Sequence, residues 1–226
     1  MSRLLTLLRN KSAGSGGADA FTDWTEYIAD DWTRVVSVGT PEYEPDIVAE
    51  GGAIGGNILR WAPPGTLSYA LTWNRAGSTA AQEVLVKLKM TSDSMHPQAV
   101  LLRSNNHATP ASYAAYLFQP RQRNRVRLSR IDGLGSANAY IADGSAITTL
   151  EAGDYAWLRA RVSGTTLNAR IWKDGDSEPD AWQLTTTDAT LADGALGYLV
   201  QASAFSARDC DYFSYALDGD TAPGPS

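Results

Sequence analysis

Apolar and polar residues alternate along this chain in short runs, and turn residues separate the runs. Val84, Val86, Leu88 and Met90 share one side of a run whose other side carries Lys87 and Lys89. Leu158, Ala160 and Val162 alternate in the same way with Trp157, Arg159 and Arg161, and Leu167, Ala169 and Ile171 with Asn168, Arg170 and Trp172. A period of two with one apolar side is the pattern of a strand buried on one face. Because Ser163-Gly164 separates the last two runs, they are predicted to pair as an antiparallel hairpin. Arg123 to Arg130 predicts a basic strand with Val126 and Leu128 inward and Arg125 and Arg127 outward. Further runs are predicted at 35–38, 57–61, 69–73, 100–103, 113–118, 137–142, 195–201 and 209–217. Turn pairs such as Asp132-Gly133, Asp143-Gly144, Asp174-Gly175 and Asp193-Gly194 punctuate the series. No long segment has helical period. Some eleven to thirteen short strands at this spacing predict an all-β fold, a two-sheet antiparallel sandwich. Pro179 breaks the pattern after residue 176, so Glu178 to Trp182 is expected to be an ordered loop, with the Trp182 indole packed into the edge of the core.

With 226 residues, 43% of them hydrophobic, the chain suffices for one complete core. The sandwich is assigned to residues 20–220, after an N-terminal segment (1–19) and before a tail (221–226). Leu4, Leu5, Leu7 and Leu8 lie between basic residues, and Ser12 to Ala20 is rich in small residues and reads as a flexible linker. Leucines on a tether need a partner surface, which makes residues 1–19 an attachment peptide; a frayed terminus is the plainer alternative. The leucine stretch is shorter than a signal h-region, and no run is long enough to span a membrane. The single cysteine, Cys210, leaves no partner for an intrachain disulfide and reads as a small buried residue of the last strand. A net charge of −6 argues against a general nucleic-acid binder.

Against that acidic background, Lys87, Lys89, Arg125, Arg127, Arg159, Arg161 and Arg170 fall on the open sides of four strands. On one shared sheet they form a basic stripe with Trp157 and Trp172 beside it, suited to an anionic glycan through guanidinium contacts and ring stacking. Two other uses stay open: a solvated sheet face whose long side chains shield the apolar layer, or a contact with an acidic neighbouring subunit. Catalytic constellations are absent. Glu42-Tyr43-Glu44-Pro45-Asp46 is interrupted by proline, and His96 and His107 lie in loops without a cysteine partner.

The succession Trp157-Leu158-Arg159 through Glu178-Pro179 to Trp182-Gln183-Leu184-Thr185 resembles a segment of concanavalin A-like (laminin G-like) jelly-roll modules of bacteriophage virion proteins and bacterial surface proteins. Cys210-Asp211-Tyr212-Phe213-Ser214 is similar to their closing strand, Asp218 to Pro223 to the segment after it, and Phe21 to Tyr27 to their first segment. The resemblance brackets most of the chain. It implies a concanavalin A-like jelly roll with a short N-terminal extension, in a virion protein of the head or tail surface made in the host cytoplasm. On this reading the chain forms a homo-oligomer and is joined to other virion proteins by its N-terminal peptide. It further implies a lectin-like surface for a cell-surface polysaccharide. Enzymes of this fold carry a Glu-x-Asp-x-x-Glu pattern that is missing here, so a glycan-degrading activity is disfavoured. A purely architectural subunit is the other alternative. Such modules often hold a structural calcium where the first and last strands meet; by position Asp211 is the first candidate ligand, with Asp23 and Asp209 behind it.

Overall fold

The computed structural model describes residues 16–20, 32–36, 46–62, 67–73, 79–90, 98–105, 109–121, 125–134, 137–146, 150–202 and 207–225. Fifteen strands lie among them, in two antiparallel sheets. In chain order they are β1 (Gly16–Ala20), β2 (Trp32–Val36), β3 (Asp46–Ala49), β4 (Asn57–Trp61), β5 (Leu67–Trp73), β6 (Gln82–Lys89), β7 (Gln98–Ser104) and β8 (Ala114–Arg121). They continue as β9 (Arg125–Asp132), β10 (Ala139–Asp143), β11 (Tyr155–Ser163), β12 (Thr166–Lys173), β13 (Leu184–Thr187), β14 (Ala195–Ala202) and β15 (Arg208–Leu217). The eight-stranded sheet has the order β13-β12-β11-β6-β15-β4-β3, with β1 also on β15, and the seven-stranded sheet has the order β10-β9-β8-β7-β14-β5-β2.

The alternation in the sequence sets which side of each strand faces in. Val84, Val86 and Leu88 of β6 meet Leu158, Ala160 and Val162 of β11, and across the gap Val100 and Leu102 of β7, Tyr116 and Phe118 of β8, and Val126 and Leu128 of β9. All are within 1% of full burial, and each large one contributes about 1.5–3 kcal/mol through removal of apolar surface from water. The β11–β12 hairpin forms as predicted, with Ser163 opposite Thr166. Its two-residue loop is Gly164-Thr165, and glycine supplies the φ of +56° there.

Three strands are not among those read from the pattern. Gly16–Ala20, expected within a flexible linker, pairs with residues 212–216 of β15, from Gly16 opposite Ala216 to Ala20 opposite Tyr212. Small residues give no amphipathic signal, yet their backbone groups complete the ladder that β15 offers. β3 follows directly on Pro45 and pairs with β4. β13 is a threonine-rich edge strand, pairing with β12 through Asn168 opposite Thr185.

One end of the sandwich is fastened by Arg103, which is fully buried and takes φ +51°. Its guanidinium donates to the carbonyls of Leu191 (2.7 Å), Gly164 (2.6 Å) and Ala80, and so ties three loops together. Burial lowers its pKa by taking the charge out of water, against the smaller opposing influence of Tyr116 and Asp193. Beside it Gly194, at φ +150°, lies so close to β7 that a Cβ would stand 2.6 Å from the Arg103 carbonyl carbon and closer still to the Ser104 oxygen. Gly194→Ala is therefore expected to cost about 1–3 kcal/mol through forced displacement of backbone, read as a lower urea midpoint. An unchanged midpoint would contradict so tight a contact.

Candidate functional site

The seven basic side chains expected on one stripe stand on two opposite sheets. β6, β11 and β12, which carry Lys87, Lys89, Arg159, Arg161 and Arg170, belong to the eight-stranded sheet; β9, with Arg125 and Arg127, belongs to the other. Strand patterning assigns an inward and an outward side but not the sheet, which depends on pairing across long sequence separations.

On the outer face of the eight-stranded sheet each cation meets a carboxylate. Glu83 of β6 is 1% exposed and receives the guanidinium groups of both Arg159 and Arg161. Arg159 Nε also donates to Glu178 Oε1 at 2.5 Å, and the same oxygen lies 2.5 Å from Arg170 Nη2. Arg159 and Arg170 are direct cross-strand partners, so Glu178 separates two like charges that would otherwise repel. Burial works against the Arg159 charge, but hydrogen bonds to Glu178 and Glu83 outweigh it and its pKa is raised. Lys89 Nζ pairs with Glu50 at 2.5 Å. Five cations thus face five carboxylates, Glu50, Glu83, Asp174, Glu178 and Asp211.

The tryptophans of this face are covered. Trp157 and Trp172 are 8% and 7% exposed, stacked at 6.2 Å, with Tyr212 edge-on to Trp157 at 5.6 Å. Ala222 and Ile54 complete the layer. The C-terminal segment is tied down through its backbone: Ala222 donates to Glu83 at 3.1 Å and accepts from Arg159 at 2.9 Å, while Pro223 O accepts from Ser214 (2.6 Å) and Tyr212 (3.0 Å). Trp182, expected in the core edge, instead lies half-buried on this outer face, its ring 4.4 Å from the Arg170 guanidinium and 5.6 Å from that of Arg161. Two guanidinium planes offer the indole a cation–π surface, whereas inward sites at this edge are filled by Leu184 and Ile171.

Of the candidate calcium ligands, Asp23 lies outside the described residues. Asp211 sits on a β-bulge of β15 that turns it outward beside Tyr212. Its Oδ1 accepts from the Ile54 N–H at 2.8 Å, and Lys87 Nζ lies 3.0 Å from its Oδ2 and 3.0 Å from Asp174 Oδ2. Burial raises the Asp211 pKa against the pull of Lys87. Asp209 is held by Arg60 through two bonds of 2.8 Å. Calcium asks for six to eight oxygens around it. The described residues do not fit it at this place: an ammonium group already stands between the two carboxylates, and among these residues no group of three His, Cys, Asp or Glu is placed to hold a metal ion.

The seven-stranded sheet differs. Its outer side runs along β8 as Ala115, Leu117, Gln119, Arg121 and along β9 as Ile131, Ser129, Arg127, Arg125, so an apolar end passes into a basic corner. Arg121 is directly opposite Arg125, and Arg127 opposite Gln119 on one side and Asp143 on the other. Asp143 binds Arg127 through bonds of 2.8 and 2.9 Å. Its pKa is lowered, first by that hydrogen bond and further by the charges of Arg127, Arg121 and Arg125. This aspartate thus faces three guanidinium groups. Tyr140 of β10 lies over Arg127 at 5.0 Å and is 60% exposed, the large hydrophobic side chain most open to solvent among these residues. Arg121 and Tyr140 are absent from the sequence-based candidates. The signal for Arg121 was the alternation of arginines at 121, 123, 125 and 127, and nothing in the sequence marks Tyr140 as exposed.

Leu4, Leu5, Leu7, Leu8, residues 42–45, His96 and His107 lie outside the described residues.

Solved structures share this architecture. A legume lectin-like domain from Entamoeba histolytica aligns with a TM-score of 0.56 and 12% identity over 89% of this chain and 97% of its own. A protein of unknown function from Shewanella oneidensis MR-1 gives 0.55 and 11% over 89% and 85%. The exoplasmic/lumenal domain of VIP36, in a Ca2+/Man-bound form, gives 0.51 and 13% over 84% of both chains. At such identity the likeness is one of fold, and the chain is a concanavalin A-like β-sandwich. No family model matches the sequence, and no curated protein does.

Removing one partner of a buried ion pair leaves an uncompensated charge. Glu83→Gln is expected to cost about 3–5 kcal/mol in urea unfolding, and a loss below about 1 kcal/mol would mean that the Arg159 cluster is sustained without it. Since Lys87 already neutralises Asp211, Asp211→Asn is expected to leave the difference between the thermal midpoints in millimolar calcium and in chelator unchanged; loss of a calcium-dependent rise in the variant would show a metal competing for this carboxylate.

Proposed function

We propose that the chain is a non-catalytic carbohydrate-binding module whose sugar site is the basic corner at β8, β9 and β10. The observation that carries this reading is Tyr140, an exposed ring against the Arg127 guanidinium, on the sheet corner that also carries Gln119, Arg121, Arg125 and Asp143. An aromatic platform takes the apolar face of a pyranose, while the polar rim meets its hydroxyls. The lectin-like fold of its neighbours supports the same reading. On the outer face of the other sheet the two tryptophans are buried and the cations already paired, so neither offers a sugar a comparable surface.

The setting proposed with it is a virion surface, in a homo-oligomer attached to other virion proteins through the N-terminal peptide that precedes β1. That setting rests on the resemblance of residues 157–185 and 210–223 to phage modules and on the leucine pattern at the N-terminus.

Glycan-array binding of the full chain, compared with Tyr140→Ala, tests the sugar site. Specific binding by the wild type that falls about tenfold or more in the variant, with unchanged thermal midpoint, is expected from the loss of a stacking surface. Silence of the wild type on a broad array, or equal binding by both proteins, would overturn the proposal.

A further inference from the structure

Resting on that reading, we infer that the corner selects anionic sugars, with Arg121 and Arg125 receiving a carboxylate or sulfate group and Tyr140 stacking on a neighbouring ring of the same saccharide. The two guanidinium-bearing residues are directly opposed in the β8–β9 ladder. Side chains so placed stand roughly 5 Å apart at Cβ, where like charges destabilise a sheet unless an anion lies between them. On the eight-stranded sheet the corresponding arrangement, Arg159 opposite Arg170, has its anion built in as Glu178. Here the chain supplies only Asp143, which Arg127 engages with both of its oxygens. Arg125 Nε is buried without a hydrogen-bond partner, and among the described residues neither Arg121 nor Arg125 has an ion pair. Two directly opposed arginines with no carboxylate built in between them form a recognition element for carboxylate or sulfate, which guanidinium groups bind through paired N–H donors. The chain as a whole carries −6, so a long polyphosphate is repelled elsewhere on the surface, and a short acidic saccharide fits better than a nucleic acid.

Titration calorimetry of the full chain tests this with four probes at matched concentration: an oligogalacturonate carrying carboxylates, a heparin oligosaccharide carrying sulfates, a neutral mannan oligosaccharide, and a single-stranded oligonucleotide. The expected result is binding of one or both acidic saccharides at least tenfold tighter than of the neutral one, and weakening of about tenfold or more in Arg121→Gln/Arg125→Gln, since the charged hydrogen bonds to the oxyanion are lost. Arg125→Lys is expected to retain part of the affinity and thereby separate charge from misfolding. The arm that binds tells carboxylate from sulfate. If the neutral sugar binds as tightly as the acidic ones and the double variant is unaffected, anion selection is wrong while a sugar site at Tyr140 stands; if the oligonucleotide binds as well as the acidic sugars, the class of ligand is wrong. Absence of binding by every saccharide overturns both this inference and the carbohydrate reading.

Discussion

Glu83 is a carboxylate with almost no exposure to water, and the outer face of the eight-stranded sheet is arranged around it. A charge so placed is costly unless cations and hydrogen bonds surround it. Arg159 and Arg161 reach it from β11, and the N–H of Ala222 reaches it from the segment that follows β15. The same contacts hold that segment across the sheet and seal the layer of Leu85, Trp157, Trp172, Tyr212 and Ala216 beneath it. Glu178 then extends the neutralisation to Arg170, and Asp174 and Asp211 extend it to Lys87. The result is a polar cover over an apolar layer, internally balanced and closed.

That balance decides where a ligand can be sought. In a chain of net charge −6, outward-facing cations without an ion pair are the unusual feature, and among the described residues Arg121 and Arg125 bring two of them together at one corner of the opposite sheet. There the outer apolar layer of Ala115, Leu117 and Ile131 gives way to Gln119, Arg121, Arg125 and Arg127, next to an edge strand that leaves Tyr140 in solvent. The fold itself fixes none of this, since one sandwich hosts many functions; the assignment comes from the local chemistry of the corner.

The strands carrying large alternating side chains were legible in the sequence because the period of two and the core face are one and the same constraint, as in Val84-Val86-Leu88 and Leu158-Ala160-Val162. β1 was not, since Gly16 to Ala20 have no side chains large enough to mark a face, and β13 was not, since its threonines suit a loop equally well. For the site, Arg125 and Arg127 were visible as an outward basic pair. Their separation from Arg159, Arg161 and Arg170 was invisible because sheet membership is settled by pairings between distant segments. The carboxylates that close the other face were equally hidden: Glu83 lies 76 residues from Arg159 and Glu178 lies 19 residues from it, so no local pattern joins them. Asp211 was legible as an acid of the closing strand and a candidate calcium ligand, but its partner, the ammonium of Lys87, comes from a neighbouring strand.

The most direct test of this division between a closed charged face and an open one is residue-resolved mapping of a bound acidic oligosaccharide by amide chemical-shift perturbation. Shifts confined to residues 119–127 and 139–143, with the 155–182 region of the eight-stranded sheet unmoved, are the expected result. Shifts centred on Trp157, Arg159, Arg170 and Trp182, with the β8–β10 corner silent, would contradict it.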